Sequence, residues 1–305
     1  MRPPASSGRR VTAILQALLV AFLWATSWVL IKDGLREISP LVFAGLRYFL
    51  AFVLLSGVFV VGARRTPPAP LPRAMWLRLV VLGLFLYTGA QGALFVALKY
   101  LPAVTVNLLL SFSNLAVALM GSAMLAEIPT WLQWIGVALS GAGGFLYFGP
   151  AAIPSGGVPG LIAALAALAS NSISTILGRE VNRTREHSPL VVTLVSMGAG
   201  SGALLLTGLV VEGVPSIGLR GWVTILWLAA VNTAFAFTLW NHTLRTLTAV
   251  ESSVINSTML LWIPILAVLV LGETLTVQQI LGMVAVGAGA VLVQLRGRTE
   301  AGGRP

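Results

Sequence analysis

The 305 residues are 57% hydrophobic and 9% charged, with a mean hydropathy of +0.93, which cannot coat a water-soluble particle but suits many apolar spans of about 20 residues. A formal charge of +10 would suggest nucleic acid in a soluble chain, yet the basic residues sit in short loops and tails, such as Arg9 and Arg10, Arg64 and Arg65, Arg183 and Arg185, and Arg296 and Arg298, which argues against it. Cysteine is absent, which excludes disulfides, thiolate nucleophiles and cysteine-held metals.

Ten apolar runs bounded by charge, Pro or Gly predict ten membrane helices. The first, 11–31, follows Arg9 and Arg10 as a secretory signal would, but no small-residue cleavage site precedes the charged "KDGLRE"; it reads as a retained span. Trp24 and Trp28 lie one turn apart on it. The second, 40–62, carries Arg47 about seven residues in, or roughly 10 Å deep at 1.5 Å per residue. The third, 76–98, places Tyr87 and Gln91 one turn apart. On the fourth, 103–126, Asn107, Ser111 and Asn114 share one face. Glu127 lies at the hairpin before the fifth, 130–149. The sixth, 158–178, has Asn171, Ser174 and Thr175 on one face, and the seventh is 189–211. The eighth, 221–243, ends near Trp240 and His242. The ninth, 249–271, opens on Glu251, Ser253, Asn256 and Ser257. Glu273 then precedes the tenth, 276–295.

With the amino terminus inside, the inner segments hold fourteen Lys and Arg residues and the outer loops four. The positive-inside rule therefore predicts both termini in the cytoplasm. The expected organisation is a tail at 1–10, five helices over 11–149, five more over 158–295, and a tail at 296–305. Seventeen arginines against two lysines, with abundant Ala and Gly, point to a GC-rich bacterial gene and an inner-membrane location.

"EIPTWLQWIGVALSGAG" from Glu127 and "ETLTVQQILGMVAVGAG" from Glu273 agree at seven of seventeen positions at a constant offset of 146. The register continues upstream, pairing Leu98 with Leu244, Lys99 with Arg245, Ala103 with Ala249 and Val104 with Val250; "SPL" at Ser39 also recurs at Ser188, three residues out of that register. This is the mark of an internal repeat. Because each copy holds five spans, the second must cross the membrane upside down. The fold expected is all-α and integral to the membrane, ten helices as two inverted five-helix repeats. Inverted repeats recur in secondary transporters, where rocking of two near-equivalent halves opens a central site to alternate sides.

On "LVAFLWATSWVLIKDGL", "SPLVFAGLRYFLA", the Leu98 to Val104 turn and the paired Glu/Gln/Gly motifs, the chain resembles the drug/metabolite transporter superfamily in its EamA-type ten-helix form, over residues 11–295. The resemblance implies a central cavity formed by helices one to four and six to nine, with helices five and ten supporting from outside. It also implies export of amino acids or related metabolites.

Several residues admit both a functional and a structural role. Glu127 and Glu273 read as caps of exposed helix-end N–H groups, and Gly136, Gly141, Gly143, Gly282, Gly287 and Gly289 as sites of close helix approach. A guanidinium at Arg47 must find acceptors: it braces neighbouring helices near the outer gate or holds a cargo carboxylate. Glu251, where the family has a small residue, is a candidate for proton coupling or for pairing with Arg245. The polar stripes, Trp24, Trp28, Tyr87, Gln91, Asn107, Ser111, Asn114, Asn171, Ser253, Asn256 and Ser257, are the candidate cavity lining.

His187 and His242 lack companions at ligand spacing, so no metal, cofactor or enzymatic site is expected. The partners expected are a small-molecule cargo and the lipid bilayer, not nucleic acid, and the sequence leaves the oligomeric state open, a monomer included. The expected function is export of small metabolites, amino acids foremost and aromatic or hydrophobic ones among them, by alternating access. The alternative is proton-coupled export of cationic drugs or nucleosides, but "LVAFLWATSWVL" lacks the first-helix acid of the small multidrug relatives. An integral membrane enzyme is disfavoured, since no His/Asp/Glu cluster is present.

Overall fold

The computed structural model describes residues 7–63, 71–125, 131–148, 157–183, 188–243, 246–247, 255–256 and 258–294. Helices account for nearly all of them: α1 (Ser7–Gly34), α2 (Pro40–Ala63), α3 (Arg73–Tyr100), α4 (Ala103–Leu125), α5 (Trp131–Phe148), α6 (Val158–Arg183), α7 (Pro189–Glu212), α8 (219–243), α9 (Met259–Leu271) and α10 (Val277–Gln294). Six of these are long and apolar enough to cross a membrane, and shorter apolar stretches fall on α4, α5, α9 and α10. The protein is an all-helical, multi-pass membrane protein.

Local chemistry sets the helix ends. Pro40 and Pro189 open α2 and α7, where a missing N–H costs nothing. Pro102 forces Leu101 into an extended conformation, φ −118° and ψ 154°, which separates α3 from α4. Gly272, at φ +68°, ends α9 in a left-handed conformation that glycine adopts without a Cβ clash.

The repeated Glu-x-x-Thr-x-x-Gln motif resolves into two devices. Thr276 Oγ1 accepts from the Gln279 amide at 3.2 Å and Gln279 Oε1 accepts from the Thr276 amide at 2.9 Å, a capping box that starts α10. Glu273 is therefore not the cap of the helix that follows it. Its carboxylate reaches across to the other half and accepts from the amides of Ala103 at 2.7 Å and Val104 at 3.2 Å, the start of α4. Glu212, at the end of α7, serves α2 in the same way through Leu41 and Val42.

The repeat is visible in the packing. α5 and α10 form the most extensive helix pair. A Cβ on Gly143 would lie 2.7 Å from the Gly282 carbonyl and one on Gly282 would lie 2.7 Å from the Gly143 carbonyl, while Gly289 meets the backbone of Gly136. Under the 146-residue offset Gly136 maps to Gly282 and Gly143 to Gly289, so the two contacts exchange with each other. That is a two-fold relation between the halves, passing between α5 and α10.

Two stretches of π-helix obey the same offset. Leu84–Gln91 interrupts α3 and Ala230–Phe235 interrupts α8, and 84 plus 146 is 230. A third, Ala267–Leu271, follows Pro264 in α9, where a proline has removed a backbone donor. Such bulges recur at functional sites.

The pseudo-symmetry breaks at one crossing. α3 and α7 touch through bare backbone, with Gly83 against Ser196 and Gly200 against Gly83. At the equivalent crossing of α2 and α8, Arg47 is inserted and meets Thr233. Thr233 is the repeat counterpart of Tyr87, and Ser196 that of Arg47 in the register set by Ser39 and Ser188.

Candidate functional site

Between the two halves lies a cavity of about 310 Å³, at the small end of the range for ligand sites. Each element contributes from one face. α1 supplies Trp24, Ser27, Trp28 and Ile31; α2 supplies Arg47 and Tyr48; α3 supplies Ala90, Gln91 and Leu94. Leu110 comes from α4, Ala167 and Asn171 from α6, and Phe237 from α8. Met259 of α9 and the adjoining Asn256 complete the wall. No described residue of α5, α7 or α10 takes part, so α7 departs from the expectation that helices six to nine all contribute. It packs instead behind α2 and α3.

Arg47 is the charged member of this lining, 4% exposed. Its Nε donates to Thr233 Oγ1 at 3.1 Å, and the Thr233 hydroxyl in turn donates to the Leu228 carbonyl, five residues back and just before the π stretch. The guanidinium carbon stands 5.0 Å from the centre of the Tyr48 ring, a cation–π distance. No described carboxylate pairs with it: the described ion pairs are Arg36–Asp33, Arg220–Asp33 and Arg78–Glu180. A buried cation without a counter-charge among the described residues is costly in a membrane interior, and only its Nε has a described hydrogen-bond partner.

Tyr48 is fixed in turn. Its hydroxyl donates to Gln91 Oε1 at 2.7 Å, and its ring lies 5.3 Å from that of Tyr87. Tyr87 is thus a buried second wall behind Tyr48 and does not line the cavity. Elsewhere in the lining, the Trp24 ring lies 5.4 Å from Phe237 and 5.2 Å from Trp240, tilted against both. Its indole N–H is enclosed and has no hydrogen-bond partner among the described residues. The cavity therefore has an aromatic wall and a cationic, amide-bearing wall.

Of the residues expected in the lining, the structure brings together Trp24, Trp28, Gln91, Asn171 and Asn256, and it adds Arg47, which was expected as a gate or brace. Asn107 is buried but lies outside the lining, and Ser111 donates to the Leu108 carbonyl of its own helix, as hydroxyls in apolar helices commonly do. Leu110 presents the cavity face of α4. Glu127, Glu251, Ser253 and Ser257, and the side chain of Asn114, lie outside the described residues. Ser27, Tyr48, Phe237 and Thr233 were not singled out by sequence. Only the 146-residue register, which ties Thr233 to Tyr87 and Phe237 to Gln91, could have pointed to the last two.

The family model described as the EamA-like transporter family matches residues 11–149 and 158–295. The chain belongs to the EamA-like transporter family. Among EamA-like relatives, a protein of Salmonella typhimurium named as a probable amino-acid metabolite efflux pump is 29% identical over 291 residues, 90% of this chain and 91% of that one. An S-adenosylmethionine/S-adenosylhomocysteine transporter of Chlamydia trachomatis is 30% identical over 128 residues, 42% of this chain and 38% of its own. A solved crystal structure superposes with a TM-score of 0.64 at 19% identity, covering 93% of this chain and 98% of that one; it shares the fold. This EamA-like chain is a membrane transporter and not an enzyme.

Proposed function

We propose that this transporter exports small metabolites bearing a carboxylate, amino acids with aromatic or hydrophobic side chains foremost, by alternating access between its two halves. The observation that carries the reading is Arg47. It is a buried cation without a described carboxylate partner, on the wall of a cavity whose lining also includes Trp24 and Phe237. A cargo carboxylate supplies the missing counter-charge through a charge-assisted pair, while the rings receive an apolar side chain. Support also comes from the amino-acid metabolite efflux named for the Salmonella relative.

The positive-inside count orients the bundle so that the end bearing Lys32 faces away from the cytoplasm, with both termini inside. The cytoplasmic membrane of a bacterium is the location this reading implies. Counterflow in liposomes, without an imposed ion gradient, tests the cargo class. Labelled tryptophan is exchanged in the presence of unlabelled threonine, indole-3-propionate, tryptamine, uridine or tetraethylammonium. Competition by the indole carboxylate, and weaker competition by tryptamine, is expected. Exchange responsive only to the quaternary ammonium would replace this reading with export of cationic drugs.

A further inference from the structure

At the Lys32 end of the bundle a second cavity, of about 190 Å³, is lined by Lys32, Arg36, Lys99 and Glu273 above an apolar floor that includes Leu98. It shares no lining residue with the central cavity. Leu94 faces the central cavity and Leu98, one turn further along α3, faces the second; Ile31, Leu98 and Leu101 between them are almost wholly buried. These apolar side chains separate the two cavities, beside the turn that joins α3 to α4.

That turn is gripped by two opposite charges from the two halves. Lys32, on α1, donates to the carbonyls of Leu98 and Leu101, both at 2.5 Å, the carbonyls left unsatisfied where α3 ends. Glu273, after α9, accepts from the amides of Ala103 and Val104 where α4 begins. Cation on a carboxyl-terminal helix end and anion on an amino-terminal one are the favourable arrangement for both helix dipoles. Neighbouring Asp33 ties the same end of α1 to α8 through Arg220 at 2.6 Å.

We propose that Lys32 and Glu273 are the gate residues of this face: together they lock the α3–α4 turn over the cargo route, and the lock opens when the halves rock and one of them releases its helix end. The two halves are not equivalent. Under the offset of 146 Glu273 has Glu127 as its counterpart, but the register set by Ser39 and Ser188 puts Val181 where Lys32 stands. In sequence, the second half thus has no lysine at the place of Lys32.

The absence of cysteine makes this testable by labelling. Ser27→Cys places a thiol in the central cavity, and Lys99→Cys, exposed at the Lys32 end, identifies the side from which a membrane-impermeant maleimide arrives. With Lys32 and Glu273 intact, Ser27→Cys should react slowly from the Lys32 side. Lys32→Met or Glu273→Gln should raise that rate by about tenfold, equivalent to ~1.4 kcal/mol, and lower the rate from the opposite side, while Lys32→Arg should retain slow labelling. Unchanged rates in both variants would overturn the proposal. So would rates rising from both sides, which signify a loosened fold and not a released gate. The proposal rests on alternating access but on no particular cargo, and labelling requires none; failure of amino-acid exchange and failure of the gate are therefore separate results.

Discussion

Arg47 concentrates the chemistry of the site in one side chain. Thr233 takes Nε, Tyr48 covers the guanidinium, and Gln91 holds Tyr48, which leaves the other guanidinium donors without a partner among the described residues. Replacing Arg47 with Met should lower tryptophan exchange by at least about tenfold while the folded protein remains in the membrane, as size-exclusion of the solubilised variant would show. Lysine at this position keeps the charge but not the two-pronged geometry, so Arg47→Lys should recover only part of the rate. Trp24→Ala should raise the apparent KM for tryptophan more than for threonine, because it removes ring surface and no charge; an equal change for both would remove Trp24 from the side-chain pocket. Sequence depth made Arg47 conspicuous, since an arginine seven residues into an apolar run has few acceptable surroundings. Lys32 carried no such signal, because a lysine at a helix end can simply reach the interface.

Elements were read correctly where their signals are local. Apolar runs, Pro40, Pro102, Pro189 and Gly272 delimit the helices within a few residues of the expected bounds, apart from the start of the ninth, where 249–254 lie outside the described residues. Of the six glycines expected at close helix approach, Gly136, Gly143, Gly282 and Gly289 form the α5–α10 contact, whereas a Cβ on Gly141 meets nothing and one on Gly287 only touches Leu260. Faces were harder. Asn107 and Ser111 share a helical stripe, but α4 presents Leu110 to the cavity instead, so periodicity defines a face without saying which neighbour it meets. The π stretches in α3 and α8 also left no local sign; they emerge only when the 146-residue offset is applied to the structure. The α5–α10 contact supports a direct test. Gly143→Leu must push against the Gly282 carbonyl and the Val286 amide, whereas a Cβ on Gly141, two residues away, meets nothing within 4 Å. Overpacking of this kind costs about 1–3 kcal/mol, so Gly143→Leu should lower the unfolding temperature in detergent and Gly141→Leu should leave it nearly unchanged. Similar values for both would mean that the glycine contact contributes little.

At the scale of the molecule, two halves with one ancestral pattern enclose a cavity that is not symmetric. The glycine pairs of α5 and α10 and the paired π stretches preserve the two-fold relation. Arg47 against Thr233, opposite bare backbone contact between Gly83 and Ser196, breaks it, and in sequence Val181 stands where the first half has Lys32. The repeat was legible because it is written in identical residues at a fixed offset. The asymmetry was only half legible, because one arginine without a partner shows that a role exists once but not what it touches. In the alternating-access reading proposed above, rocking of the halves about the shared axis exposes Arg47 to one side at a time. The central claim is that this cavity carries a carboxylate-bearing cargo on Arg47. Its most direct test is counterflow of labelled tryptophan into liposomes loaded with unlabelled tryptophan, run in parallel for the unmodified chain and Arg47→Met. The account predicts saturable exchange in the first and, by loss of a buried charge pair, a rate at least about tenfold lower in the second. Equal exchange by the two proteins would contradict it.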